Sequence, residues 1–465
     1  VANLSRSTPL EEFRRFRPAL SNRAVVAQPD DGGKSQCLSE YAVFARIPTL
    51  EHGDSPAKRA AFQAVLDNFA PDKLNAAFGW TSYDEHELVA AVTLAGGMVH
   101  ASDFVYNLAV LSQLPPHVVP RPAVALDSAR GAAGTTAPRA VHTVAFVHSD
   151  GDNLQILQND WLSKRHWNHP LRGHQPAGWS YSPAMAALMP SLLAYAARTA
   201  SANDSLSAGP SGAGYVYPGL FSAGHRRLFA LATGSLMNRS GMTLVNVIGV
   251  TPSEESVADL AEQPEVQAIV YFTFGVADQG YAGLHGNVAY VGGKPVVGLR
   301  SCLWDNGTAG DKVGVPGLVR ELKRLPKDTS DPRSYSIIDS QIGNSLSEVA
   351  EAARQLALDG GFDVVLPEEL VRRLVRNTGH KQLCPMPTGR WADQAGLLPK
   401  CWLPRDGKSC VLECDGPDED APVRCDLSVC SNLTFAPGKR RFLCAETGEV
   451  CPGQSAGRAA DLTFV

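Results

Sequence analysis

Two carboxylates one residue apart, Asp150 and Asp152, stand in the run His148-Ser149-Asp150-Gly151-Asp152-Asn153, just after the apolar stretch Val144-Ala145-Phe146-Val147. At the end of a buried strand such charges repel each other. They persist if one is protonated, if both hold a cation, or if both hydrogen-bond polar groups. An acid and a base with separated pKa values is the equipment for cleaving a glycosidic bond. The same Asp-Gly-Asp-Asn letters also suit a plain turn. A second element is Gly212-Ala213-Gly214-Tyr215-Val216-Tyr217-Pro218. Its glycines let the backbone take special angles or approach a ligand closely. Tyr215 and Tyr217, two apart, share one side of an extended chain and could wall a cleft by stacking on sugar rings, or could be two core tyrosines.

Residues like these need a scaffold. Short apolar runs at 74–80, 98–104, 143–149, 214–217, 243–249, 268–275, 295–303, 335–339 and 362–366 alternate with helical patterns at 84–95, 184–200, 253–262, 315–324 and 347–358. Runs apolar on both faces are expected of parallel strands buried beneath helices. The alternation predicts an α/β fold with a parallel sheet, here a (β/α) barrel, complete or distorted TIM-type, in preference to an open sheet. Working residues then gather at the carboxyl ends of the strands. That rule adds Trp80, Asp103, Asp278, Arg300, Trp304, Asp305 and Asp339. Residues 1–70 read as an irregular N-terminal region and 71–382 as the barrel-like domain, with an N-terminal part at 71–135 and a core at 136–382. Residues 383–465 read as a separate cysteine-rich module.

Five histidines, His148, His166, His169, His174 and His225, lie near the same motifs. With Asp150 or Asp152, His166 and His169 could hold a divalent ion, as in a metal-dependent polysaccharide deacetylase. Helical ligand pairs prefer a spacing of four, and the Gly and distal Glu of an EF-hand are out of register, so no metal or other cofactor is expected.

The formal net charge is 42 − 47 = −5, without a block of basic residues. That argues against nucleic acid or an anionic membrane as partner. No apolar run approaches the length of a membrane helix. Of the ten cysteines, eight crowd the last stretch: Cys384, Cys401, Cys410, Cys414, Cys425, Cys430, Cys444 and Cys451. An even number in a short Gly/Pro/Asp-rich segment reads as a disulfide framework, and the absence of a CxxC pair disfavours zinc. Cys37 and Cys302 are then either a bridge or two buried thiols. Asn3, Asn203, Asn238, Asn306 and Asn432 each open a glycosylation triplet,. Together these features predict a secreted, extracellular glycoprotein. The chain starts at Val1 without a signal peptide and reads as processed or excised.

The segment GAGYVYP resembles the motif that names the GxGYxYP glycoside hydrolases. Other stretches resemble that family in order: FGW at 78–80, ASDFVYNLAVLS at 101–112, VAFVHSDGDNLQ, and GWSYSPAMAALMP at 178–190. The resemblance spans roughly residues 70–375 and implies a barrel-like catalytic domain with a carbohydrate substrate. It marks Asp150, Asp152, Asn153, Trp179, Gly212, Gly214, Tyr215, Tyr217 and Pro218. The region before the first strand is short for the family, and the cysteine-rich tail is outside its usual pattern. The reading is a glycoside hydrolase acting on a polysaccharide or glycoprotein glycan. Asp150, Asp152 and Asp305 are its catalytic carboxylates, and Trp80, Asp103, Asn153, Trp179, Tyr215, Tyr217, Arg300 and Trp304 bind substrate. The alternatives are a non-catalytic matrix or surface-filament glycoprotein, whose C-terminal module meets an extracellular partner, and the metal-dependent deacetylase.

Overall fold

The computed structural model describes residues 7–30, 38–115, 140–149, 154–249, 252–273, 284, 286–304, 312–383 and 386, together with four short strands near the C-terminus. Two parallel α/β sheets make up the body. The first is β2-β1-β3-β4, with β1 at Ala24–Pro29, β2 at Thr49–His52, β3 at Asn75–Gly79 and β4 at Gly97–Ala101. Its helices are α1 (Pro9–Phe16), α2 (Ser39–Ala45), α3 (Pro56–Leu66), α4 (Glu85–Leu94) and α5 (Leu108–Leu111). Within the stretch read as irregular, the described residues 7–30 and 38–70 form helices and strands, and β3 and β4 join them instead of the larger sheet. Their signal is faint because α1 buries only Phe13, while α3 builds its buried face partly from alanine.

The second sheet has eleven strands in the order β10-β11-β9-β8-β7-β6-β5-β14-β12-β13, with β15 also paired to β5. These are β5 (His142–His148), β6 (Ala177–Tyr181), β7 (Asp204–Ala208), β8 (Leu244–Gly249), β9 (Ala268–Thr273), β10 (Val288–Val291), β11 (Lys294–Gly298), β12 (Ser301–Leu303), β13 (Lys312–Val313), β14 (Tyr335–Ser340) and β15 (Phe362–Val364). All pairings are parallel except the β10–β11 hairpin. Strands β11 and β12 belong to one extended stretch, 294–303. Leu299 donates its N–H to the Tyr271 carbonyl on β9 (3.1 Å), and Arg300 donates to the Ile337 carbonyl on β14 (2.9 Å). The two flanks of the sheet are thus joined through two adjacent residues, so the sheet must curl.

Helices α6 (Leu154–Gln158), α7 (Met185–Leu188), α8 (Pro190–Thr199), α9 (Ala223–Ser240), α10 (Glu254–Ala261), α11 (Val315–Leu322) and α12 (Leu346–Asp359) cover its outer face. There Val144 and Phe146 of β5 pack among them, while Ala145 and Val147 turn inward. The last helix, α13 (Pro367–Thr378), supplies Leu370, Val371 and Leu374 to the inner apolar cluster. Among the elements that escape the hydrophobic pattern are β6, β7 and the longest helix, α9. Strands β6 and β7 alternate serines with apolar residues, and the buried stripe of α9 (Phe229, Ala230, Thr233, Gly234, Met237, Ser240) is small and partly polar. Conversely, 214–217 is a loop that touches a strand through one bridge.

Near the C-terminus, Pro399–Trp402 pairs antiparallel with Val411–Cys414, and Leu433–Phe435 with Phe442–Cys444. The sulfur atoms of the eight tail cysteines lie outside the described residues, as does Cys37. Cys302 is a buried thiol. No helix among the described residues is long and apolar enough to cross a membrane.

One buried ion pair fixes the start of β7. The Asp204 side chain is fully buried and accepts from Arg172 (2.6 Å), the Trp179 indole (2.8 Å), and the Ser201 N–H (2.8 Å) and hydroxyl (2.7 Å). Removing one partner of such a pair strands the other in a dry site, at about 3–5 kcal/mol. Asp204→Ala should lower unfolding stability by that order in a urea titration; a loss under about 1 kcal/mol would show that water replaces the carboxylate.

Candidate functional site

The inner face of the curled sheet can be read from strand alternation. Trp179 and Tyr181, Ala208, Val245 and Val247, Leu303, and Ile338 all pack on the helix side. Their neighbours Ser180, Ser207, Asn246, Cys302 and Asp339 therefore point inward. Ser180 and Ser207 are cross-strand partners, and the Asn246 amide donates to both hydroxyls (3.1 and 2.7 Å). Cys302 and Asp339 are partners on β12 and β14, and the thiol donates to the carboxylate (2.8 Å). Aliphatic residues fill much of the remaining face: Val147, Leu244, Val270, Val297, Leu299 and Ile337. These five polar side chains face inward toward the strand carboxyl ends, while Thr143 and Ser205 face the same way nearer the amino ends of their strands. Sequence reading singled out Asp339 and Cys302 but passed over the serines and Asn246, whose signal was polar letters at alternate strand positions.

His148 ends β5, directly before Ser149 and Asp150. Its Nδ1–H donates to the Ser340 carbonyl (3.1 Å), which also accepts the Ser149 N–H (3.1 Å), so two hydrogen bonds tie this strand end to β14. The imidazole stacks on Trp179 (4.9 Å between centroids), and His166 stacks on Trp161 (5.3 Å). Burial pushes His148 down to about 3, and burial together with the Arg165 guanidinium pushes His166 down to about 4. Both are neutral and enclosed on the helix side. His169 faces the Ser347 hydroxyl (3.1 Å), so the His166/His169 pair proposed as metal ligands is divided between a core and a surface contact. Among the described residues no three His, Cys, Asp or Glu side chains gather as a metal site.

The glycine–tyrosine loop after β7 is anchored on α9 at Gly212 and Ala213 and reaches the four-stranded sheet and its helices at Gly214, Tyr215 and Tyr217. Gly212 has φ +118°, and a Cβ there would meet the Thr233 side chain at 2.6 Å; the Thr233 hydroxyl accepts the Ala213 N–H (3.0 Å). A Cβ on Gly214 would press on Met98 of β4 at 3.0 Å. Tyr215 exchanges both backbone hydrogen bonds with Val99 on β4 (2.8 and 2.9 Å), antiparallel. Its hydroxyl donates to Glu85 of α4 (2.7 Å), and its ring stacks on Trp80 (6.3 Å). Tyr217 donates its N–H to the Thr93 hydroxyl (3.3 Å) and packs on His86. Both tyrosines sit in the apolar cluster between the first sheet and α1, α3 and α4. Expected as the wall of a sugar cleft, they instead fill the core of the N-terminal unit, because the loop reaches the edge of β4. Trp179 is likewise fully buried and offers no face to a sugar.

This contact brings two sets of strand ends together. Trp80 and Asp103 follow β3 and β4. Beyond them the Phe104 carbonyl accepts from Asn159 (3.1 Å), and Tyr106 pairs through its N–H and C=O with the Gln158 amide (2.6 and 2.8 Å). Gln158 closes α6, which begins one residue after Asn153. Trp80 is half-buried and Asp103 buried; Trp304 is half-buried beyond β12. Arg300 is buried between β11 and β12, pushed down to about 10 by desolvation, with Ser336 and Gly286 as neighbours. Asp150, Asp152, Asn153, Asp278 and Asp305 lie outside the described residues. Of the sequons, Asn238 is exposed on α9, and Asn203 is half-buried with its amide donating to Gly173 (2.8 Å); Asn3, Asn306 and the Asn432 side chain lie outside.

Truncating Tyr215 to Ala should cost about 3–5 kcal/mol, and Tyr215→Phe about 1–2, with hydrogen exchange rising in 85–101 first. If Tyr215→Ala leaves stability and exchange untouched and weakens only glycan binding, the tyrosine is a sugar platform after all. The buried histidines give a second expectation. His52, His100, His142 and His166 are pushed down to about 4 and His148 to about 3, chiefly by burial. Unfolded histidine, near 6.5, binds the proton first, so stability is complete above about pH 6.5 and falls as pH drops toward 4. The melting temperature should already decline between about pH 6.5 and 5, above the carboxylate range, and His148→Asn should flatten the slope. A constant melting temperature across that interval would mean these histidines are not buried neutral.

Two family descriptions match the chain. Residues 140–375 match the "GxGYxYP putative glycoside hydrolase C-terminal domain", and 22–113 match the "GxGYxYP third domain". They coincide with the curled sheet and the four-stranded sheet. A solved structure described as a putative hydrolase from Bacteroides thetaiotaomicron VPI-5482 superposes with a TM-score of 0.68 at 19% identity, covering 80% of this chain and 70% of that one. This likeness carries the fold. A search of curated proteins finds no match. With one domain description spanning half of the chain and a second covering its other sheet, the chain belongs to the GxGYxYP "putative glycoside hydrolase" family.

Proposed function

We propose that this chain is a secreted glycoside hydrolase that cleaves a polysaccharide or glycoprotein glycan on a distorted (β/α) barrel. One observation carries the reading: the two parallel sheets meet where the end of α6 and the loop after β7 touch β4 and the residues that follow it. In parallel α/β folds the carboxyl end of the strands is where ligands bind. Junctions between domains are also preferred places for ligand sites.

In this reading Asp150 and Asp152 act beside the scissile bond, with Asp305 as the further carboxylate. Asp339, fixed inward by Cys302, stands in the same set of strand ends. Separation of the acting carboxyls decides the outcome: about 5 Å for a retaining nucleophile, about 6.5–9.5 Å for an inverting pair with a water between them. Of the aromatic residues singled out in the sequence, Trp80, partly exposed on its Tyr215 backing, and Trp304 are the half-buried ones that can meet sugar. Secretion rests on the crowded cysteines and the sequons, of which Asn238 is open to an attached glycan.

The test is an oligosaccharide and aryl-glycoside cleavage screen of the wild type against Asp150→Asn/Asp152→Asn. Loss of an acid–base pair should lower the rate by about 10²–10⁴-fold for each catalytic role while leaving glycan binding in place. Wild-type cleavage by the double variant, or none by the wild type on any glycoside, would overturn the proposal.

A further inference from the structure

The four-stranded sheet has an edge that the hydrolase reading does not use. Toward its strand carboxyl ends the cations are paired, Lys58 with Asp30 and Glu51, and Arg59 with Glu87. The amino-terminal edge differs. Arg14 and Arg15 stand in the last turn of α1, and Arg17 follows it. Arg23 leads into β1, Arg46 lies ahead of β2, and Lys73 ahead of β3. All six are exposed. Lys73 meets Asp72 (3.3 Å), but among the described residues none of these five arginines belongs to an ion pair.

Backbone contacts gather these positions. Strands β2, β1 and β3 are neighbours, and Val26 pairs with Thr49, so Arg23 and Arg46 each stand three residues ahead of a matched pair. Ser21 donates its N–H to the Arg46 carbonyl (2.7 Å), and Ala76 to the Arg23 carbonyl (3.0 Å). The Arg23 guanidinium donates to the Leu74 carbonyl (2.8 Å), beside Lys73. Asp67 and Asp72 are the acids of this edge, a surplus of 6 − 2 = +4 on a chain whose total is −5. Glu11 and Glu12 sit toward the other end of α1, bonded to Thr8 and Ser7.

Helix dipoles do not account for the pattern. Cations favour helix C-termini, yet α2, α3 and α4 have none in their last turns, and Arg23 and Lys73 precede strands,. Arg46 caps α2 in the left-handed conformation (φ 55°), where glycine would fit without steric cost,. Phe16, 37% exposed, lies among these charges with the Arg15 guanidinium 5.4 Å from its ring centre.

We propose that this edge is a docking surface for an acidic polysaccharide, a chain bearing carboxylate or sulfate groups. The ligand class rests on the carbohydrate reading above. Guanidinium forks take such groups bidentately, and a ring among them can stack on a sugar face. A strip of positive charge on an acidic protein suits a thin polymer, which meets the strip alone. A membrane plane or a nucleic-acid duplex would bring its charge against the acidic remainder as well. The strip lies at the opposite end of the strands from their carboxyl ends, so a docked chain tethers the protein without occupying the cleavage end.

Binding of the full chain to heparin and to polygalacturonate is measured across a salt series, with poly(U) and phosphatidylserine-containing vesicles as further arms. The variant is Arg15→Gln/Arg17→Gln/Arg46→Gly, and Arg320→Gln/Arg324→Gln, at and just after α11, is the control. The wild type should bind an acidic glycan. The triple variant should keep its melting temperature, bind about tenfold more weakly and lose roughly two from the slope of log affinity against log salt, with the control unchanged. If the triple variant does not fold, Arg46→Gly alone, which relaxes the left-handed residue, should still weaken binding by about threefold. No binding of either glycan, equal loss in the control, unchanged affinity in the variants, or tighter binding of poly(U) or vesicles would overturn the proposal. If no glycoside is cleaved yet these losses appear, the hydrolase reading fails and the docking surface stands. If a glycan is cleaved and neither acidic glycan binds the edge, the reverse holds.

Discussion

The docking of the Tyr215 loop onto β4 is the contact on which the arrangement of the molecule depends. Strand β4 is the edge of a four-stranded sheet, and an uncovered edge offers unpaired N–H and C=O groups to any passing strand. Here the edge is closed at Val99 by two hydrogen bonds from a loop of the other sheet. Burying two tyrosines adds an apolar contribution of about 1.5–3 kcal/mol each. The loop takes this path because Gly212 supplies a positive φ and Gly214 a flush approach to Met98. The spacing of the motif that names the family thus follows from a packing problem. A glycine turns the chain, a second lets two backbones close, and the tyrosines two apart enter the same core.

Once the two sheets are fixed this way, the surroundings of the strand ends follow. The β4 extension is pinned to α6, whose N-terminal end adjoins the carboxylate-bearing loop, and that loop leaves a strand tied to β14 through the Ser340 carbonyl. Most of the polarity at these ends is paired between neighbouring strands, Ser180 with Asn246 and Ser207, and Cys302 with Asp339. Such pairing limits the cost of buried polar groups while holding their orientation. The histidines at this level are kept neutral by burial and act as packed rings, not as proton carriers near pH 7.

Much of this order was legible in the sequence, and what was not has physical causes. Runs such as Val144–Val147 announce themselves because a strand buried on both faces has no polar position to blur it, and the helices at α10 and α12 carry wide apolar stripes. Strands β6 and β7 were hidden by inward-facing serines, which are the polar lining of the site. In the four-stranded sheet β3 and β4 were legible at 74–80 and 98–104, whereas β1 and β2 were hidden because short segments like Ala24–Pro29 complete a core they do not dominate. Tyr215 and Tyr217 show the limit of motif reading. Their shared side was foreseen from spacing, and the two rings do lie 5.8 Å apart. Which surface they face depends on a strand more than a hundred residues away, and spacing carries no information about that.

The tyrosine case bears on how function is assigned in such families. Residues of a signature are selected for any role that tolerates no substitute, and a weld between domains is as intolerant as a catalytic centre. Gly212, Gly214, Tyr215 and Tyr217 each have a specific neighbour, Thr233, Met98, Val99 with Glu85, and Thr93 with His86, that accounts for their identity without any ligand. Chemistry is then better sought among residues whose identity packing does not explain. The carboxylates that follow β5 in the sequence are of that kind. The motif's part is to hold the four-stranded sheet against the sheet that carries β5.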